Sequence, residues 1–518
     1  MPKPTIAMSV KEDTMSFTPS RRALLSGAAA GMLGLAACQP SAPLGSGSGG
    51  EGVGEHPSLA YLPSTQPANW SAVIGAVNEK MKADIGTTLD AQFLNWSQYA
   101  QQVLLKFTAA ETFDSALNAR WMNMVQLVSS NSLADLTDEI GKHENLSKAL
   151  APELIEANKW SGRLWGIPQV NGAARIHHFG YRDDLAAGEL TDFDSFLKYL
   201  SDVKQKNPDI TPFELHNNVG LNQAITFSPL TWEDPQPVSQ AFSGGSIGVA
   251  INPDDPTDIR PVYESEHIIE GIRVLRDLYE KGLVNKDALT LDSATANSQF
   301  AAGRFAAHGV ITDGLGSQSL KTLQAAVPGA SLANLLPYRD GLAAKPFQTF
   351  QSDNFAVINP AGDVDRALQI QDWLSIQENH DMLAYGIEGT DWTASGEDKY
   401  EALSDYVFPG FALLWRIDLE RMPSTISASE EEIFAWSKKF ENFTLDPLAT
   451  FYPDVTPVKK EDAELTNVAT EHLKPLCSGA VDVDAGLDAL RRAAEAAGIE
   501  KVMEEMRTQI SAHLAEQG

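Results

Sequence analysis

The chain has 518 residues, 43% of them hydrophobic, with 39 basic and 69 acidic side chains and a formal net charge of −30. Such a surface repels phosphate backbones and anionic headgroups, which argues against nucleic-acid binding and against membrane attachment through a basic patch. The length exceeds one hydrophobic core, so two or three lobes are expected, and two cysteines are too few for a structural Cys-rich zinc site.

The first element in chain order is an export signal. Ser20-Arg21-Arg22 opens it, and the uncharged stretch Ala23–Ala37, rich in Ala, Gly and Leu, follows. Fifteen mildly apolar residues are too few to cross a hydrocarbon core of ~30 Å as a helix, and the positive flank with small closing residues fits a cleavable signal over residues 1–37. Leu35-Ala36-Ala37-Cys38 resembles the bacterial lipobox, which implies that Cys38 carries diacylglycerol and becomes the new N-terminus. The arginine pair resembles a twin-arginine signal, with Leu24 where Phe is commoner; a general secretory signal is the alternative. Acyl chains anchor stably because each buried methylene contributes ~0.8 kcal/mol. Removing residues 1–37, with Lys3, Lys11, Arg21 and Arg22 against Glu12 and Asp13, leaves a chain near −32. Cys477 then has no intrachain partner, so packed cores must supply the stability.

Residues 38–56 read as a flexible tether, Gly/Ser/Pro-rich and unable to bury enough apolar surface to order itself. Gly45, Gly47 and Gly50 match a dinucleotide fingerprint only by spacing, without the strand and helix that give it meaning. Beyond the tether, short apolar runs alternate with helical stripes. Leu164–Pro168 follows the turn signal Ser161-Gly162-Arg163. Ile268, Ile269, Ile272, Leu275, Leu278 and Tyr279 predict a helix that stops at Lys281-Gly282. Phe305–Ile311 and Phe355–Ile358 predict strands; Leu368, Ile370, Trp373 and Leu374, then Met382, Leu383 and Tyr385, predict two helices. Ile499, Val502, Met503, Met506, Ile510 and Leu514 form one last stripe after Gly498. This alternation predicts α/β lobes with mainly parallel sheets.

Catalytic motifs are weak. Gly244-Gly245-Ser246-Ile247-Gly248 has the spacing of a nucleophile elbow, but an extended, proline-broken stretch follows it instead of a helix. His177 and His178 are neighbours and point apart on a strand. Asp254, Asp255 and Asp258 cluster, but Pro256 interrupts them and they do not form a calcium loop. The reading is therefore no enzyme, no metal and no cofactor. A secreted carbohydrate hydrolase is the enzyme alternative, since 69 acidic residues could supply two carboxylates at about 5–9.5 Å. A binding or sensory lipoprotein without a transporter is the third reading.

Several segments, in order, carry a family resemblance. Trp160-Ser161-Gly162-Arg163-Leu164-Trp165-Gly166-Ile167-Pro168, Tyr181-Arg182-Asp183-Asp184-Leu185, Leu278–Val284 and Phe300–Ala306 are similar to segments of the extracellular solute-binding proteins of carbohydrate ABC importers. Tyr385-Gly386-Ile387-Glu388-Gly389-Thr390-Asp391-Trp392 resembles the "YGIEG" loop of their oligosaccharide- and alginate-binding lipoprotein branch, and Ala496–Val502 with Glu504, Glu505 and Gln509 resembles its closing helix. The resemblance runs from about residue 90 to the end. It implies an α/β fold of the two-lobe, periplasmic-binding-protein-like type II class, with hinge crossovers and a ligand cleft between lobes. It further implies a monomer on the extracytoplasmic face of the membrane, held to the bilayer through acylated Cys38, that delivers a sugar or oligosaccharide to ABC permease subunits. The expected boundaries are 57–172 plus about 304–353 for the N-lobe, 173–303 plus about 354–480 for the C-lobe, and 481–518 for terminal helices.

A sugar presents C–H faces and a rim of hydroxyls, so its site needs aromatic plates with amides, carboxylates and guanidinium around them. On this basis the candidates are Trp96, Trp121, Asn171, Arg175, Trp232, Asp353, Asn354, Glu388, Asp391, Trp392, Trp415 and Arg416, while Trp373 and Trp436 lie in helices and read as packing residues.

Overall fold

Strand pairing sorts the chain into two principal sheets, each with its own core. The computed structural model describes residues 57–517 apart from 121, 161, 174–176, 234–242, 245–246, 253–254, 312–316, 338–344, 346, 450 and 452. In chain order the elements used below are β1 Ser58–Pro63, α1 Trp70–Ile85, β2 Leu89–Leu94, α2 Trp96–Thr108, β3 Ser115–Ala119, α3 Pro152–Ala157, β4 Ile167–Gln169, β5 His177–Arg182 and α4 Phe193–Lys206. There follow β6 Thr211–Glu214, α5 Glu266–Glu280, β7 Phe305–Ile311, β8 Leu332–Leu335, β9 Asn354–Ile358, α6 Val364–Trp373, α7 Gln377–Ala384, α8 Ala428–Ser437, α9 Val483–Ala496 and α10 Ile499–Gln517.

The first sheet has the order β2-β1-β3-β9-β4, and the second β8-β5-β7-β6. In the first, β1 runs parallel to β2 and β3, while β9 lies antiparallel to both β3 and β4. In the second, β7 is antiparallel to β5 and parallel to β6, and β8 is antiparallel to β5. Residues 170–176 link β4 to β5, and residues 336–353 link β8 to β9. These are two crossings between the sheets.

The predicted helices form because their apolar stripes are buried. Ile268, Ile272, Leu275 and Leu278 of α5, and Ile499, Val502, Met503, Met506 and Ile510 of α10, all enter the second core. That core also holds Phe179 of β5, Phe196 of α4 and Phe213 of β6. The first core gathers Val73, Val77 and Met81 of α1, Val103 and Phe107 of α2, and Leu117, Ile167 and Val357 from the sheet. A third, smaller core sits among the crossings, where Ala173, Leu336 and Phe350 meet Leu154 of α3 and Ile433 and Trp436 of α8. Phe350 holds φ 51°, a left-handed backbone unusual for a bulky residue, and packs edge-on against Phe440 at 5.0 Å. Cys477 is buried in the second core, where burial pushes its thiol up to about 12 and leaves it unreactive.

The sheets redraw the boundaries expected from sequence. Residues 304–353, assigned there to the N-lobe, contain β7 and β8 of the second sheet. Residues 354–480, assigned to the C-lobe, begin with β9, which lies in the first sheet beside β3. Residues 481–518 hold the helices α9 and α10, and Leu490, Val502 and Met506 belong to the second core. An apolar strand reads the same whichever sheet receives it; pairing across the chain decides.

Candidate functional site

The parallel strands β1, β2 and β3 end at one edge of the first sheet, and ligands of open α/β sheets bind outside such carboxyl ends. Just past β2, Asn95 caps α2 by accepting a hydrogen bond from the Ser97 amide at 3.0 Å. This places Trp96 at the first position of the helix, where it stays 49% exposed. The short turn Gly410–Ala412 packs against β3 and β9 and brings Phe411 edge-on to Trp96, with centroids 5.7 Å apart at 82°. Trp415 continues the group, 6.0 Å from Phe411 at 69°. A side chain at Gly410 would meet the Trp415 indole at 3.0 Å, so glycine there lets the ring lie against the turn. Trp96 stacks on the buried Tyr99 at 6.5 Å and 14°, and Phe411 packs against the first core, which also holds Trp70 and Phe408. The result is an aromatic platform, partly open to solvent and rigid from behind. Of its members the sequence reading named Trp96 and Trp415; Phe411 had no periodicity or motif to mark it.

The crossings start beside this platform. Ala119, Asn354 and Gln169 lie on one row of the first sheet, so Asn354 and Asp353 sit where the second crossing enters it and Asn171 where the first leaves it. Asn171 is buried, whereas Asp353 and Asn354 are half-buried. Two residues that sequence did not single out hold the second crossing. Asn158 accepts hydrogen bonds from the Ser352 amide at 2.8 Å and from Arg120 Nη2 at 3.0 Å, and donates to the Phe350 carbonyl at 3.1 Å. Arg120 also donates through Nε to the Ser352 carbonyl at 2.9 Å, with its guanidinium 5.3 Å from the Trp160 ring. The signal that could have found Arg120 was its place directly after β3.

Other candidates turn inward. Arg416 is 1% exposed and donates to Gln169 Oε1 at 3.2 Å, Gln371 Oε1 at 2.7 Å and the Trp415 carbonyl at 2.8 Å. Burial pushes its guanidinium down to about 10. It ties β4 to α6. Asp391 is 2% exposed and accepts hydrogen bonds from Asn69 Nδ2, the Ile387 amide and Ser404 Oγ at 2.8–3.0 Å. Burial opposes its charge, but these three donors outweigh it and hold the carboxyl below the usual range. Trp392 is buried, with its indole N–H donating to the Gly386 carbonyl at 3.0 Å. Gly386 has φ 93°, and any Cβ there would come within 2.7 Å of Asp391. The 385–392 loop is thus a clip fastened to Asn69 and Ser404, on which Glu388 is exposed. Trp232 packs into the second core, stacked on Phe179 and Phe193, and donates to the Thr226 carbonyl at 2.9 Å. Trp121, Arg175, Cys38 and Ser246 lie outside the described residues. After Ser246 the chain continues as the strand Ile247–Asn252. Asp255 accepts from Thr257 and Asp258 from Arg260, so both carboxylates have protein partners; Asp254 lies outside the described residues.

At the carboxyl end of β6 in the second sheet, Glu214 is 4% exposed and its Oε1 has no hydrogen-bond partner. Burial pushes this carboxyl up to about 7. His308 of β7 is in register with Glu214 and stacks on Phe300 at 4.0 Å; burial, helped by the nearby His178 and His216, pushes its imidazole down to about 4.

Residues 76–387 match the family of bacterial extracellular solute-binding proteins. The chain belongs to that family. Residues 447–515 of this solute-binding protein also match a domain of unknown function (DUF3502), and these are the helices that close the second core. A Streptococcus pneumoniae protein described as a carbohydrate ABC transporter substrate-binding protein is 24% identical over 468 residues, covering 87% of this chain and 89% of its own. Among solved structures, the N-glycan transport solute-binding protein of Streptococcus pneumoniae superposes with a TM-score of 0.74 at 20% identity, covering 89% of this chain and all of its own. An "HMO binding" solute-binding protein associated with an ABC transporter, from Bifidobacterium longum infantis, gives 0.61 at 15% identity, with 89% and 100% covered. The fold is the two-lobed, type II periplasmic-binding-protein fold.

Proposed function

We propose that this solute-binding protein captures a sugar or oligosaccharide between its lobes and hands it to the membrane subunits of an ABC permease. The observation that carries this reading is the platform of Trp96, Phe411 and Trp415 at the edge of the first sheet. Aromatic rings that stay open on one side and are braced on the other suit the C–H face of a pyranose. Asn171, Asp353 and Asn354 at the crossings would take its hydroxyls. The names of the relatives point the same way. A ligand touching both lobes stabilises their closed arrangement, and capture is then a population shift around the crossings, with no bond of the ligand broken. Residues 1–37 would be removed and Cys38 acylated, tethering the protein to the outer face of the membrane by residues 38–56.

The test is a thermal-shift screen of the purified protein against mono- and oligosaccharides. A sugar at about 100 times its Kd should add ~2.7 kcal/mol of stability and raise the melting temperature, and chromatography should return it unchanged. A broad panel with no shift, or release of cleaved sugar, would overturn the reading. For the tether, Cys38→Ala should move the protein from the membrane fraction to the soluble one.

A further inference from the structure

A cavity of about 340 Å³ opens between the edge strand β8 and helix α8. Tyr181, Leu190, Leu335, Leu336, Ile433 and Trp436 form its apolar wall. Hydrogen-bonding groups surround the wall: Glu189, Thr191, Asn334, Ser429, Glu432 and Lys439. The volume falls at the small end of the range for ligand pockets, about 300–1,000 Å³, and the lining exposes polar and apolar surface in comparable amounts, as a hydroxyl-bearing ring requires.

The cavity is separate from the platform. It shares no residue with Trp96, Phe411 and Trp415. Tyr181 is the fifth residue of β5, about 13 Å along the strand from His177, and Leu336 stands where the second crossing leaves β8. Its walls are also held in place. The Asn334 amide donates to Ser429 Oγ at 2.9 Å, pinning α8 to β8, and Leu336, Ile433 and Trp436 are members of the core among the crossings. A cavity walled by packed side chains stays open without a ligand to prop it.

We infer that this cavity is a second binding site, for an uncharged or amine-bearing molecule of monosaccharide to disaccharide size. The wall suits the C–H face of one ring and the rim suits its hydroxyls. Two carboxylates against one ammonium repel an anion and favour a protonated amine.

The experiment uses the full chain carrying Trp96→Ala, so that its outcome does not depend on the platform. Glucosamine, N-acetylglucosamine and glucuronate are titrated, with binding followed by calorimetry. Saturable one-to-one binding of glucosamine or N-acetylglucosamine, with glucuronate weaker, is the expected result. Ala435 is exposed on α8 and lines the cavity, and Ala435→Trp should fill it and weaken binding by about tenfold or more. Glu189→Lys with Glu432→Lys changes only exposed side chains and should reverse the order of glucosamine and glucuronate. Absence of saturable binding by either amino sugar, or binding that neither variant alters, would overturn the inference.

Discussion

The platform at residues 96, 411 and 415 and the loop at 385–392 are built from similar side chains, yet Trp96 is 49% exposed whereas Trp392 is 5% exposed. In the loop, Asp391 has three donors of its own and the Trp392 indole N–H has the Gly386 carbonyl, while Glu388 stays exposed. In the platform, the rings touch one another at 5.7 and 6.0 Å and leave surface toward solvent. The comparison teaches that a motif rich in aromatic and acidic residues can serve the fold as readily as the ligand. What separates the two is how much of the ring stays exposed.

The largest effect should come from the enclosed side of this comparison. Arg416→Ala strands Gln169 Oε1 and Gln371 Oε1 and opens a hole, costing about 3–5 kcal/mol in urea unfolding. A change near zero would mean Arg416 is not the internal tie described above. Next comes Glu214 in the second sheet, whose carboxyl is pushed by burial up to about 7 from the ordinary 4.5. Its neutral form is the one the fold favours, so the associated stability is present below about pH 4.5 and is lost as pH rises through about 7, by ~3 kcal/mol in all. Glu214→Gln should flatten that decline in melting temperature; an unaltered pH profile would contradict the burial. Asp391→Ala should cost about 2 kcal/mol of stability because Asn69, Ile387 and Ser404 lose their acceptor, while sugar affinity stays unchanged. Loss of affinity at unchanged stability would move the loop to the binding side of the comparison. The smallest expected effect in energy is Trp96→Ala, about 1.4 kcal/mol of sugar affinity, or tenfold, with little change in urea midpoint.

Much of the local structure was legible in the residues. The helix over 268–279, the strand 305–311 and the stripe from Ile499 to Ile510 follow from apolar spacing, since each face had to be buried somewhere. Of the site, Trp96 and Trp415 were named together with Trp121, Trp232 and Trp392, and local sequence did not separate the exposed ring of Trp96 from the buried ring of Trp392. Phe411 and Asn158 could not be named, because their importance comes from partners far along the chain: Trp96 for the first, Ser352 for the second.

The amino-acid order by itself determined which stretches are helix or strand and where they stop, because periodicity, capping residues and glycine act over a few neighbours. Only the tertiary structure decided that strand 354–358 joins the first sheet and strand 305–311 the second, and that Arg416 and Asp391 face inward. Those outcomes depend on hydrogen bonds between segments such as Gln169 and Arg416, separated by 247 positions, and no local pattern encodes a partner so distant.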